Sequence, residues 1–262
     1  MPPRKRPRLS HDAQERMLAV LSPIALLLLW QLFSSVNFFD ARYVPSPIAI
    51  FKAGWALTQS GELWLHLKAS TLRLVAGFVL GAIPGIAIGL VMGLNRLVRA
   101  ALDPIIAATY PIPKIALLPL IMIAFGIGEG SKIVIVAIAV IFLVLINTMM
   151  GVLTIDRIYF DVAKNFGAPW PKLFARVIIP GALPLIFSGL RLSMGVSLIV
   201  IVSAEFVAAK SGIGYLIWTS WSMLIIENMF VGIVVITVLG VVSTFLLKEL
   251  ERLCIPWRQG GQ

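Results

Sequence analysis

The sequence predicts an all-α, polytopic membrane protein of about six transmembrane helices. Hydrophobic residues make up 59% of the 262 positions and charged residues only 13%, against about a quarter charged in soluble domains. The apolar residues form continuous blocks separated by short polar breaks, whereas a transmembrane barrel needs alternating segments of about ten residues. The 21 glycines and 16 prolines would break soluble helices, but spans tolerate them because neighbouring helices satisfy the freed backbone groups.

Residues 1–16 form a basic tail containing Arg4-Lys5-Arg6-Pro7-Arg8. A basic head also introduces signal peptides, but the apolar run that follows, residues 17–36 (Met17 to Val36), is long enough to span and no small-x-small site follows it. It is expected to stay as the first span. Five more blocks of roughly 20 residues run from Leu72 to Leu94, Leu102 to Phe125, Ile133 to Leu153, Leu183 to Ala208 and Met229 to Leu247. The divisions that result are a segment 37–70 between the first two spans, a core 71–250 and a C-terminal tail 251–262. Within 37–70, Val44-Pro45-Ser46-Pro47 precedes a stretch from Ile48 to Leu57 with apolar residues at mixed three- and four-residue spacing, which predicts a short amphipathic surface helix.

The net charge of +10 has no soluble basic domain to carry it, so it speaks for membrane orientation rather than nucleic-acid binding. With the N-terminus inside, the inner segments hold Arg4, Lys5, Arg6, Arg8, Arg16, Arg96, Arg99, Arg157, Lys164, Lys172, Arg176, Lys248, Arg252 and Arg258, and the outer ones far fewer cations. Both termini are therefore expected in the cytoplasm. A second outer segment, from Lys210 through Gly212, Gly214 and Tyr215 to Trp218 and Trp221, begins with glycines and becomes aromatic. It reads as an interfacial anchor, a gate or a docking surface.

A polar island from Asp156 to Pro180 interrupts the apolar blocks on the predicted inner side. Ile155, Ile158, Tyr159, Val162, Ala163 and Phe166 recur at helical spacing up to Gly167, a residue suited to end a helix at left-handed angles. Pro169 and Pro171 cannot continue it. The island reads as a short amphipathic helix, a hard turn, and a second helical piece running from Lys172 into the membrane. A plain connector is typically only about 2 to 8 residues long, so a segment of this kind implies a partner.

Asp161-Val162-Ala163, three residues, Gly167, nine residues, then Val177-Ile178-Ile179-Pro180 resembles the EAA loop of ABC-type import permeases, Glu-Ala-Ala-x3-Gly-x9-Ile-x-Leu-Pro. The spacing matches throughout, with Asp161, Val162, Val177 and Ile179 as conservative departures. The resemblance extends over most of the chain after residue 44 and points to the nitrate, sulfonate, taurine and bicarbonate branch. Ser70-Thr71-Leu72-Arg73, Asp103-Pro104, Pro111-Ile112-Pro113-Lys114, Phe125-Gly126-Ile127-Gly128-Glu129, Asn147-Thr148 and Ser211-Gly212-Ile213-Gly214-Tyr215 are similar to that branch as a set. What the resemblance implies is a MetI-like permease core in the bacterial inner membrane, forming a homodimer around one pathway. Asp161, Val162, Ala163, Phe166, Gly167 and Pro180 would couple each copy to a cytoplasmic ATP-binding subunit, and an extracytoplasmic solute-binding protein would deliver a small anion. ATP and Mg would be bound by the ATPase, since this chain has no phosphate-binding Gly-x4-Gly-Lys-Ser/Thr string.

Charges inside the blocks are the second signal. Lys114 lies between Pro113 and Pro119, near Tyr110; these residues either line a pathway for an anion, or Lys114 snorkels or pairs with an acid. Glu205, near the outer end of the fifth block, is either a gate residue or the partner of a cation such as Arg73 or Lys114. Arg191 reads as a snorkelling cation at the inner interface. His66 has only His11 as a fellow histidine, so it suits capping or packing rather than a metal, and the nine methionines suit packing. Lone Cys254 leaves no intramolecular disulfide or thiolate cluster. The competing class is a secondary transporter or channel driven by an ion gradient, in which the Asp156 to Pro180 island would have no task. An enzyme would need a catalytic cluster that the sequence does not contain.

Overall fold

The computed structural model describes residues 11–36, 38, 40 and 42–257; the basic head at residues 4–8 and Arg258 lie outside the described residues. The elements are α1 (His11–Ser35), α2 (Pro47–Gln59), α3 (Glu62–Leu94), α4 (Arg96–Thr109), a 3₁₀ turn (Lys114–Leu117), α5 (Leu118–Phe125), α6 (Glu129–Leu153), α7 (Arg157–Asn165), α8 (Trp170–Leu173), a π turn (Phe174–Ile178), α9 (Ile179–Ala208), α10 (Ile213–Ser222) and α11 (Ile226–Cys254). No strand occurs among the described residues. Five helices are long and apolar enough to cross a membrane, or six when the bent pair α4 to α5 counts as one.

Helix ends follow local chemistry. Ser46 accepts a hydrogen bond from the Ala49 amide and Pro47 opens α2, which occupies the amphipathic stretch predicted there. The Asn95 side chain accepts from the Leu97 and Val98 amides, so α3 stops and α4 starts at one residue.

The core is built from α3, α6 and α9. Along α3, glycines 77, 81, 85, 89 and 93 fall every fourth residue on the face against α6. A β-carbon at Gly77 would stand 2.6 Å from Val136 Cβ, at Gly81 2.8 Å from Val140 Cβ, and at Gly93 2.5 Å from Val152 Cβ. The missing side chains let two backbones approach closely, which in lipid replaces the hydrophobic drive as the source of cohesion. Val136, Val140 and Val144 are fully buried in that seam.

The same contacts establish topology. Gly77 meets Val136 and Gly93 meets Val152, so α3 and α6 run parallel, and α4 with α5 must carry the chain back across the bundle between them. By contrast Gly189 meets Asn147 while Gly151 meets Ala182, so α9 runs antiparallel to α6. The C-termini of α3 and α6 and the N-terminus of α9 therefore share one end of the bundle, which holds Arg96, Arg99, Arg157, Lys164, Lys172 and Arg176.

The structure corrects several expected boundaries. The third block, Leu102 to Phe125, is not one helix: α4 and the Lys114–Phe125 segment meet at 88°. Pro111 and Pro113 remove amide donors and fix the backbone there, which ends α4 at Thr109. The second span begins at Glu62 rather than Leu72 and the last runs from Ile226 to Cys254 rather than Met229 to Leu247. Polar residues extend these helices because they pack against neighbours beyond the apolar window. The fifth span likewise begins earlier than Leu183, in a continuous helical rod from Trp170 to Val207.

Candidate functional site

Helix α7 is set by its two ends. Asp156 accepts from the Ile158 amide at the start. At the finish, the Gly167 amide donates to Lys164 O and the Ala168 amide to Ala163 O, both at 2.9 Å, the paired closure of a Schellman motif. Gly167 has φ of +63°, and a β-carbon there would meet nothing within 4 Å. Its glycine is required by backbone angle, not by crowding.

Of the predicted coupling residues, Asp161, Val162, Ala163, Phe166 and Gly167 lie together on α7 and its cap. Phe166 is 86% exposed, and Ile158, Tyr159 and Val162 are exposed beside it, whereas Ala163 is half-buried. Phe160 turns the other way and packs on a cluster of Val152, Ile178, Ala182 and Ile186. The helix thus grips the bundle on one face and presents an uncovered apolar face on the other. Pro180 stands apart from α7 in sequence but lines the same cleft of about 410 Å³ as Asp156, Tyr159, Arg176 and Trp257.

The structure places Tyr110, Pro113 and Lys114 at the bend between α4 and α5. Lys114 Nζ donates to Thr109 O at 2.9 Å and Tyr110 O at 3.0 Å, and stands 4.3 Å from the centroid of the Phe142 ring. The ammonium thus satisfies carbonyls at the end of α4, and no carboxylate lies within salt-bridge reach of it among the described residues. Tyr110 is 45% exposed.

Glu205 does not pair with Lys114. Its carboxylate is buried towards the end of the bundle opposite α7, accepting from Ser70 Oγ, from Arg73 Nη1 and from the Gly214 amide. Arg73 uses all five of its donors: Nε and Nη2 go to Glu129, Nη1 to Glu205 and Ser211 O, and Nη2 also to Ser211 Oγ. The Gly212 amide donates to His66 Nδ1 and the Ile213 amide to Ser70 Oγ. The first amides of α10 are therefore held by side chains of α3 and α9, with a carboxylate at the positive end of the helix. Gly212 has φ of +120°, and any β-carbon there would collide with the Glu205 carboxyl group.

Arg73, the partner of Glu205, is one of the two cations weighed from the sequence, and His66 accepts from the Gly212 amide, in keeping with the capping role expected of it. The roles of Ser70, Glu129, Ser211 and Gly214 in this network were missed. Their only sequence signal was the string Ser211-Gly212-Ile213-Gly214, whose glycines imply close backbone approach. Arg191 is a correction: expected to snorkel, it is paired with Glu251, because α11 lies antiparallel beside α9 and extends to Cys254.

A family model described as "Binding-protein-dependent transport system inner membrane component" matches residues 85–254. A permease protein named for aliphatic sulfonates transport in Escherichia coli (strain K12) is 38% identical over 235 residues, covering 90% of this chain and 89% of the relative. The taurine transport system permease protein of the same organism is 33% identical over 237 residues, covering 88% and 86%. The nitrate import permease protein of Synechocystis sp. (strain ATCC 27184 / PCC 6803 / Kazusa) is 29% identical over 269 residues, covering 98% and 96%.

Proposed function

We propose, since this chain belongs to the family of binding-protein-dependent transport system inner membrane components, that it is the membrane-spanning subunit of an ATP-driven importer for a small anion. The observation that carries this reading is α7: a capped amphipathic helix with Ile158, Tyr159, Val162 and Phe166 uncovered, packed through Phe160 onto the bundle. An apolar face of this kind fits a groove on another chain. That chain is a separate ATP-hydrolysing subunit, which binds the ATP and Mg.

The end of the bundle carrying α7 also carries Arg96, Arg99, Lys164, Lys172 and Arg176, and the excess of cations there supports a cytoplasmic location for it, with both termini inside. The opposite end, with Arg73, Glu129 and Glu205, would face the solute-binding protein. Two copies would enclose one pathway, with lipid around them. Closure of the ATPase pair moves α7 as a rigid body, and the rod that runs from Trp170 to Val207 transmits the tilt across the membrane as alternating access.

The relatives are named for sulfonate, taurine and nitrate transport, which supports a sulfonate-like or other small oxyanion as the solute. Lys114 beside Tyr110 at the bend is the pathway cation we assign to it, and Glu205 the residue that holds the outer segment in place. The test is reconstitution of the chain with its ATP-binding subunit and solute-binding protein in proteoliposomes. Uptake must require ATP and all three components; uptake by this chain alone would reject the reading.

A further inference from the structure

The link between α7 and the fifth span contains a π turn, Phe174–Ile178, in which the Ile179 amide donates to Phe174 O, five residues back. Such turns are rare and insert about one residue into an α-helix. The immediate sequence reason is Pro180, which has no amide with which to reach Arg176 O. The packing gives a further consequence. In an unbroken α-helix, Leu173 would lie roughly 140° around the axis from Ile178, since five residues at 3.6 per turn overshoot one turn. In the structure Leu173 and Phe174 both pack on the cluster of Val152, Ile178, Ala182 and Ile186, and Phe160 of α7 packs on the same cluster. The wide turn is what brings Leu173 to that face.

We propose that the π turn is a register element that positions the coupling helix: its extra residue brings Leu173 and Phe174 onto the buried cluster that also receives Phe160, so that α7 moves with the span. Without it, α8 and the attached α7 would be rotated about the span axis and Phe160 would lose its place on the cluster. Ala175, within the turn, is exposed, so removing it changes the register without emptying the core. This inference rests on the assignment of α7 as the site gripped by the ATPase.

The experiment uses the full complex in proteoliposomes and reads ATP hydrolysed per solute imported. Deleting Ala175 is expected to raise that ratio by about tenfold, within the usual range for coupling between sites, while the ATP-binding subunit still copurifies. Ala175→Ser, which keeps the residue count, leaves the ratio unchanged. In a Cys254→Ser background, a cysteine at position 160 is slow to react with a maleimide in the parent and fast in the deletion variant. Should the deletion variant fail to assemble, Leu173→Ser weakens the same contact at constant length and raises the ratio by about threefold. An unchanged ratio in Leu173→Ser, or labelling in the deletion variant as slow as in the parent, overturns the proposal. A parent complex without ATP-dependent uptake sinks the underlying assignment instead, so the two failures are distinguishable.

Discussion

The guanidinium of Arg73 and the carboxylate of Glu205, 132 positions apart in the chain, meet at 2.7 Å with both side chains almost fully buried. Each also holds the Ser211 to Gly214 segment, Arg73 through Ser211 O and Glu205 through the Gly214 amide. The pair ties α3 to α9 and fastens the start of α10 to both.

Removing Arg73 leaves the Glu205 carboxylate buried with no cation, which costs about 3–5 kcal/mol, whereas removing the Glu205 charge leaves Arg73 paired with Glu129 and costs less. Arg73→Gln and Glu205→Gln are both expected to lower the detergent melting temperature of the complex. Arg73→Lys should not restore it, because an ammonium cannot reproduce five donors in a planar fork. A Glu205→Gln complex that assembles, melts and transports as the parent does would remove Glu205 from any role in holding the Ser211 to Gly214 segment.

Crowding along the α3 to α6 seam makes a separate prediction. Gly81→Ala forces a β-carbon against Val140 and the Ala137 carbonyl, an overpacking of about 1–3 kcal/mol. Gly195→Ala, where a β-carbon meets nothing within 4 Å, is the control and should be neutral or slightly stabilising. Thermal scans of the two variants side by side decide it.

At Gly167 the cost is conformational. An alanine held at left-handed angles loses about 1–2 kcal/mol, while asparagine tolerates them better. Uptake is therefore expected to fall in the order glycine, asparagine, alanine, valine, with the ATP-binding subunit lost or uncoupled in the last. Full ATP-driven uptake by Gly167→Val would count against α7 as the lever.

Lys114→Met removes the ammonium that bridges Thr109 O and Tyr110 O. If an anion passes this bend, losing a hydrogen bond to a charged group costs it about 1.5–3 kcal/mol, a drop of about tenfold or more in uptake below saturation. Unchanged anion uptake in a properly assembled complex would make Lys114 a brace of the broken helix and nothing more.

Much of the α7 region was legible in the sequence because its determinants are local. Asp156 at the start, the apolar spacing through Phe166, Gly167 at the end and the prolines beyond act within a few residues of one another. The bend at Pro111 and Pro113 was only half legible: the prolines announced an interruption, but not that the pieces would turn through 88°. The glycine stripe of α3 passed unread, since five glycines at fourfold spacing have meaning only against the valines of α6, more than fifty positions further on.

Composition and block pattern alone determined that this is a multi-span helical membrane protein, and the resemblance of the Asp161 to Pro180 stretch to the EAA loop pointed to the import permeases. Hydropathy and helix punctuation are written along the chain, so they survive without coordinates. Tertiary structure decided that α3 and α6 run parallel, that Glu205 belongs to Arg73 rather than Lys114, that Arg191 meets Glu251, and that Phe160 packs on Val152, Ile178, Ala182 and Ile186. Each of these depends on which helix faces span the distance between residues far apart in sequence, and only packing in three dimensions sets that.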